Sequence, residues 1–176
     1  MTEPQQQDPR PESAAGDDVE AFRAAFRRHA AGVAIVTTRG QDGSPVGFTA
    51  TSLASLAAAP PLATFNMART ASSWPAIASA EAVIVHLLGR RDLDAARRMA
   101  GPADRRFTGR HWTEGPRGLP LLRGATAWFS GRIVERVPVA GSAVVVVRID
   151  GGGVGAEDDA LLYHDRTYLT PGPPAD

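Results

Sequence analysis

Apolar positions along the chain follow two rhythms, one helical and one extended. Val19, Phe22, Phe26 and Ala30 recur at helical spacing, which predicts a helix capped by Asp17 or Asp18, running to about Ala30 and stopped by Gly32. Val33–Thr38 is rich in β-branched residues and leads to Asp42-Gly43, a hairpin signal that makes Pro45–Thr49 the return strand. Leu62–Met67 forms a further strand, and the continuous apolar run Val83–Leu88 marks a central one. Ala125–Val137 and Ala143–Ile149 read as long neighbours, and Leu161–Tyr163 with Tyr168 closes the chain in a short strand. A serine cap followed by Pro75 starts a short helix in Thr70–Ile77. A second helix covers Asp92–Ala100, with Leu93, Ala96 and Met99 on one side. Residues 101–120 read as a long loop, and Gly151-Gly152-Gly153 as a flexible turn. About seven strands with two or three short helices predict a mainly β protein, better suited to a closed or split antiparallel barrel than to alternating β-α units. Residues 1–16, rich in Gln, Pro and acid, read as a disordered tail; 17–170 form one domain and 171–176 a C-terminal tail.

Composition narrows the chemistry. The chain has 176 residues and zero formal net charge, which argues against a general nucleic-acid or membrane-surface binder. No apolar run approaches a membrane span and the acidic N-terminus is unlike a secretion signal, so the expected compartment is the cytoplasm. Cysteine is absent, which removes disulfides, thiol nucleophiles and iron–sulfur ligation. All 19 basic residues are arginine, which excludes Schiff-base chemistry on lysine. His29, His86, His111 and His164 have no metal-ligand spacing, and no metal is expected. Neither a Gly-x-Gly-x-x-Gly fingerprint nor a Walker loop is present.

The most informative segment runs from Val46 to Phe65. Thr49, Thr51, Ser52 and Ser55 place four hydroxyls within ten residues, on a run of small side chains that ends at Pro60-Pro61. Hydroxyls and free amides on such a loop suit a flat ring with polar edges and a phosphate tail, although a plain surface loop has the same composition. Taken alone, Ser72 and Ser73 read as helix caps and Arg106 as a solvated loop charge.

Taken in order, several motifs resemble the flavin reductase family with its FMN-binding split-barrel fold. They are F-R-x-x-x-x-x-x-A-x-G-V-A-I-V-T-T from Phe22, G-F-T-A-T-S from Gly47, and Pro60-Pro61. T-A-S-S-W-P-A-I from Thr70, D-R-R-F-T-G-x-x-W from Asp104, G-L-P-L-L from Gly118 and L-L-Y-H-D-R-T-Y from Leu161 complete the set. The resemblance implies a six-stranded antiparallel Greek-key split β-barrel that forms a homodimer and binds FMN or FAD, with NADH or NADPH as donor. It further implies an NAD(P)H-dependent flavin reductase that supplies reduced flavin to a partner monooxygenase. On the matched motifs, Thr49, Thr51 and Ser52 would meet the pyrimidine edge of the flavin ring. Asn66, Met67 and Ala68 would line the ring or ribityl chain. Ser72, Ser73 and Arg106 would hold the phosphate.

One departure bears on the donor. Where the family carries Gly-Asp-His before a valine-rich strand, this chain has Ala140-Gly141-Ser142, so Gly141 and Ser142 form the expected nicotinamide-donor site without an imidazole. Ala57 stands where serine is common, implying weaker flavin bonding, and Arg166 where glycine is common, implying a crowded site. Two other readings follow: a flavin-binding protein without efficient NAD(P)H turnover, and a flavin-free dimeric interaction module.

Overall fold

The computed structural model describes residues 15–173. Most of the expected N-terminal tail, and the last three residues of the C-terminal one, lie outside the described residues. Helix α1 (Ala15–Arg27) starts slightly earlier than expected, so Asp17 and Asp18 sit in its first turn, where they complement the helix dipole. Its apolar face is exposed: Val19, Phe22 and Phe26 each keep at least half their surface, and the two phenylalanine rings lie 4.4 Å apart.

The core is one antiparallel sheet. Its members are β2 (Ala34–Arg39), β3 (Pro45–Ala50), β4 (Ala54–Ala57), β5 (Leu62–Ala68), β6 (Ala82–Leu87), β9 (Ala127–Val139) and β10 (Ser142–Val154). Their order is β3-β2-β6-β9-β10-β5-β4, so the continuous apolar run predicted to be central does become an interior strand, β6. Around it lie α2 (Trp74–Ser79), α3 (Leu93–Ala100), the ribbon β7 (Trp112–Glu114) with β8 (Pro120–Leu122), and a small sheet of β1 (Ala31–Gly32), β11 (Leu162–His164) and β12 (Thr167–Leu169).

Strands β2 and β6 are buried on both faces because two cores meet across them. Ala34, Val36, Phe65, Val83, Val85, Val145 and Val147 fill the interior of the curled sheet. Val33, Ile35, Leu88, Ala96, Met99 and Leu122 form a second cluster on the other side, beneath α3. His86 pins the layers: its Nδ1–H donates to the Ile35 carbonyl at 3.1 Å, and its Nε2 accepts the Leu122 amide at 3.0 Å. Burial in this apolar setting pushes its pKa down to about 4.

No backbone ladder joins β3 to β5. Instead Ser52, just beyond β3, reaches across with its hydroxyl, accepting the Asn66 amide at 2.9 Å and donating to the Asn66 carbonyl at 3.0 Å. The barrel is therefore split at this seam, and the seam opens into a pocket.

Gly151-Gly152-Gly153 is not a flexible turn. It continues β10, pairing with Ser130, Phe129 and Trp128 of β9. Glycine is required for packing here, since a Cβ on Gly152 would meet the Trp128 carbonyl at 2.6 Å and one on Gly153 the Trp128 indole at 2.9 Å. Two strands inside expected loops, β4 and β7, also appear, together with β8 at the loop's end.

Candidate active site

A cavity of about 470 Å³ opens where β3 ends, beside the end of β5 and the start of α2. Thr49, Thr51, Ser52, Asn66, Met67, Ala68, Ser72, Ser73 and Arg106 all line it, joined by Phe48, Ala50, Ala71, Met99 and Ala100. Residues 57 positions apart in sequence thus meet around one space, with an apolar floor and a polar rim.

The rim is not uniform. Thr49 donates its hydroxyl to the Ala96 carbonyl of α3 at 2.7 Å, and the Ser52 hydroxyl is engaged with Asn66. Both side chains therefore shape the loop. The Thr51 hydroxyl makes no hydrogen bond among the described residues, and the amides of Thr51 and Ser52 donate to no backbone carbonyl among them. At this edge the donors left for a ligand are one hydroxyl and two amides.

The opposite end is cationic. Arg106 donates from Nε to the Gly101 carbonyl (2.9 Å) and from Nη1 to the Gly47 carbonyl and the Ser73 hydroxyl (both 2.9 Å). These acceptors are all neutral, and no carboxylate lies within ion-pair reach of Arg106 among the described residues. Its guanidinium is partly desolvated, which pulls its pKa below the ordinary arginine value while leaving it charged. Ser73 is buried, and its side chain makes no cap bond to α2. The capping role open to it in the sequence is not the one it plays; its hydroxyl is turned to Arg106 and, at 3.4 Å, to Gly47. The amides of Ser72 and Ser73 likewise donate to no backbone carbonyl among the described residues.

Gly47 makes this arrangement feasible. A Cβ there would stand 2.9 Å from the Phe107 ring, which packs over the strand while Arg106 takes its carbonyl. Phe107 is braced in turn by Trp112, whose ring is edge-on at 5.6 Å and whose Nε1 donates to the Phe107 carbonyl at 3.2 Å.

The Ala140-Gly141 turn joins β9 to β10 and does not line the cavity; it stands at its rim. Ser142 pairs with Ala68, and the Arg69 amide donates to the Gly141 carbonyl at 2.9 Å. Ala140 has φ of +48°, a conformation that favours glycine. The other two departures lie elsewhere. Ala57 pairs with Leu62 and is absent from the cavity lining. Arg166 sits with φ +62° in the β11–β12 turn, beside Phe22 and Phe26 of α1, and is absent from the cavity lining.

A family model described as a flavin reductase like domain matches residues 26–172. The chain belongs to the flavin reductase family. An NADH:FMN oxidoreductase from Rhodococcus erythropolis is 38% identical over 168 residues, spanning 93% of this chain and 87% of its own. The crystal structure of a flavin reductase domain protein from Arthrobacter sp. FB24 is 47% identical, with a TM-score of 0.86, and the match covers 90% of this chain and 98% of that one. The reductase component of a flavin-dependent trigonelline monooxygenase from Acinetobacter baylyi is 31% identical over 153 residues, 87% of this family member and 49% of that protein.

Sequence reasoning missed the apolar floor, Phe48, Ala71, Met99 and Ala100, and the carbonyls of Gly47, Gly101 and Ala96. Met99 was legible as an apolar helix position, but not as a pocket wall. Backbone carbonyls carry no sequence signal at all.

Proposed function

We infer that this chain is an NAD(P)H-dependent flavin reductase that supplies reduced flavin. The observation that carries the reading is the Arg106 cation, braced only by neutral acceptors at one end of a pocket whose other end offers a hydroxyl and free amides. A partly buried cation without a carboxylate is costly unless an anion completes it. A flavin phosphate meets that need, with the ring lying along Met67, Ala68 and Met99. The donor set therefore fits FMN, or FAD through its diphosphate.

In the mechanism proposed, Arg106, Ser73 and the Ser72 and Ser73 amides anchor the anionic end. Each charge-assisted bond of this kind is worth about 1.5–3 kcal/mol. Thr51 and the amides of Thr51 and Ser52 address the pyrimidine edge, while Thr49 and Ser52 hold that loop in place through Ala96 and Asn66. A bound flavin supplies the acceptor for hydride from a nicotinamide. The chain orients the two rings and keeps water from the apolar floor. Ser142 and the Gly141 carbonyl stand at the rim where the nicotinamide donor, NADH or NADPH, would enter.

A homodimer, a partner monooxygenase and a cytoplasmic location complete the proposal. The relative from Acinetobacter, named as a monooxygenase reductase component, supports the partner, and the exposed apolar face of α1 supports self-association. Among the described residues no helix is long and apolar enough to cross a membrane. A second reading, flavin binding with slow donor turnover, is favoured by Ser142 in place of a histidine.

The test mixes purified protein, NADH or NADPH, and FMN or FAD, and follows the nicotinamide absorbance band. Donor consumption well above that of free flavin is expected. Flavin binding without consumption would favour the second reading, and neither binding nor consumption would reject both.

A further inference from the structure

A second concavity, of about 500 Å³, lies midway along the long β9–β10 ladder and is lined by Arg117, Arg132, Val134, Arg148 and Asp150. From Ser142, at the rim of the first pocket, β10 runs six residues to Arg148, or about 20 Å at strand rise. The two sites are separate.

Three features that each cost stability converge here. Arg132 and Arg148 are direct cross-strand partners and both exposed, so two like charges face each other on one side of the sheet. Neither makes a side-chain hydrogen bond or ion pair among the described residues. The ladder slips register on both sides of this pair, between Val146 and Val147 and between Ile149 and Gly151. The residues left over by the slips are Val134 and Asp150, and both line the concavity. Bulges re-aim side chains at functional places in sheets. The third feature is Arg117, held with φ +57° in a conformation that favours glycine. Its guanidinium forks onto Asp150 at 3.2 and 2.5 Å, and Ser130 donates to the same carboxylate at 3.1 Å.

Arg117 and Asp150 form an ion pair, and Arg132 also lies close enough to favour the Asp150 carboxylate; three guanidiniums against one carboxylate leave the concavity cationic. Glu81 lines an adjoining concavity with Arg117, Arg132 and Arg136 but makes no ion pair among the described residues, and Arg136 is committed to the Ile77 and Ala80 carbonyls at the end of α2. Three guanidiniums and one carboxylate line the opening, with one apolar wall at Val134. The opening therefore matches a small dianion better than a broad acidic protein surface.

We propose that Arg132 and Arg148, positioned by the two bulges and flanked by the Arg117–Asp150 pair, form a second anion site that takes a phosphate dianion, free or as the phosphate of a small monoester. The assignment is independent of flavin reduction.

Isothermal titration of the full chain with inorganic phosphate, against sodium chloride at matched ionic strength and with and without FMN, tests it. A saturable site, one per chain, should persist when FMN is bound. Its affinity should fall at least tenfold in Arg132→Gln and in Arg148→Gln, with flavin affinity unchanged. Arg117→Gly, compatible with its left-handed backbone, should also weaken phosphate by freeing Asp150 to repel it. A nucleoside monophosphate that binds more tightly than phosphate would identify the monoester as the ligand. Four results would overturn the proposal: no saturable binding beyond chloride, binding abolished by FMN, binding that survives both glutamine variants, or binding of a glutamate decapeptide with none of phosphate.

Discussion

Arg106 makes the sharpest single-site prediction. Arg106→Gln keeps a side chain able to bond a carbonyl but removes the charge, so FMN affinity should fall about tenfold to a hundredfold, the equivalent of 1.5–3 kcal/mol. Riboflavin, lacking the phosphate, should lose far less. Fluorescence-quenching titrations with both ligands check this, and an equal loss for the two would remove Arg106 from the phosphate end. Ser142→His should raise donor turnover about tenfold by restoring a charge-assisted contact at the rim. A kcat/KM for NADH or NADPH that does not move would show that Ser142 does not address the donor. Ala140→Gly relieves a left-handed alanine and should stabilise the fold by about 1 kcal/mol, read as a rise in Tm. The sequence marked all three positions because each carries a side-chain chemistry or a missing one. It did not mark Thr49 and Ser52 as loop braces, since their acceptors are the Ala96 and Asn66 backbones, which only the fold brings near.

Strand β6 carries a pH dependence through His86. Its pKa in the folded chain is pushed down to about 4 from an ordinary 6.5, because burial disfavours the cation. The unfolded chain therefore binds more protons between these values. Stability is full above about pH 6.5 and declines as pH falls toward 4, by about 3 kcal/mol in total. His86→Leu should flatten that part of the profile in denaturant unfolding at several pH values, while lowering stability overall by leaving the Ile35 carbonyl and Leu122 amide without their partner. A slope that survives the substitution would locate the titration elsewhere. The sequence showed β6 as central from its apolar run, and β10 from its run of consecutive valines. It hid β4, β7 and β8, whose three or four residues are too short for a period to register. It also misread Gly151–Gly153, because glycine signals a turn by propensity, while here it serves close packing against Trp128.

The assembled chain leaves apolar surface uncovered on α1 and on the outer face of β9, where Val137 and Val139 are exposed. Val137 pairs with Val144, next to Asn66 of β5 at the pocket, so the dimer we propose buries this row close to the site. Val137→Asp should shift the chain from dimer to monomer in sedimentation analysis and weaken flavin binding with it. An unchanged dimer would place the contact on another surface. The split-barrel class was legible from the order of the motifs, whereas the pocket's shape depends on curling one seven-stranded sheet until Ser52 meets Asn66.

A crystal structure grown with FMN weighs all of these at once. The account predicts flavin in the cavity between Thr51 and Arg106, its phosphate on the Arg106 guanidinium and the Ser73 hydroxyl and its ring against Met67. Flavin bound elsewhere, or the same cavity closed by the chain's own side chains in a second copy, would contradict it.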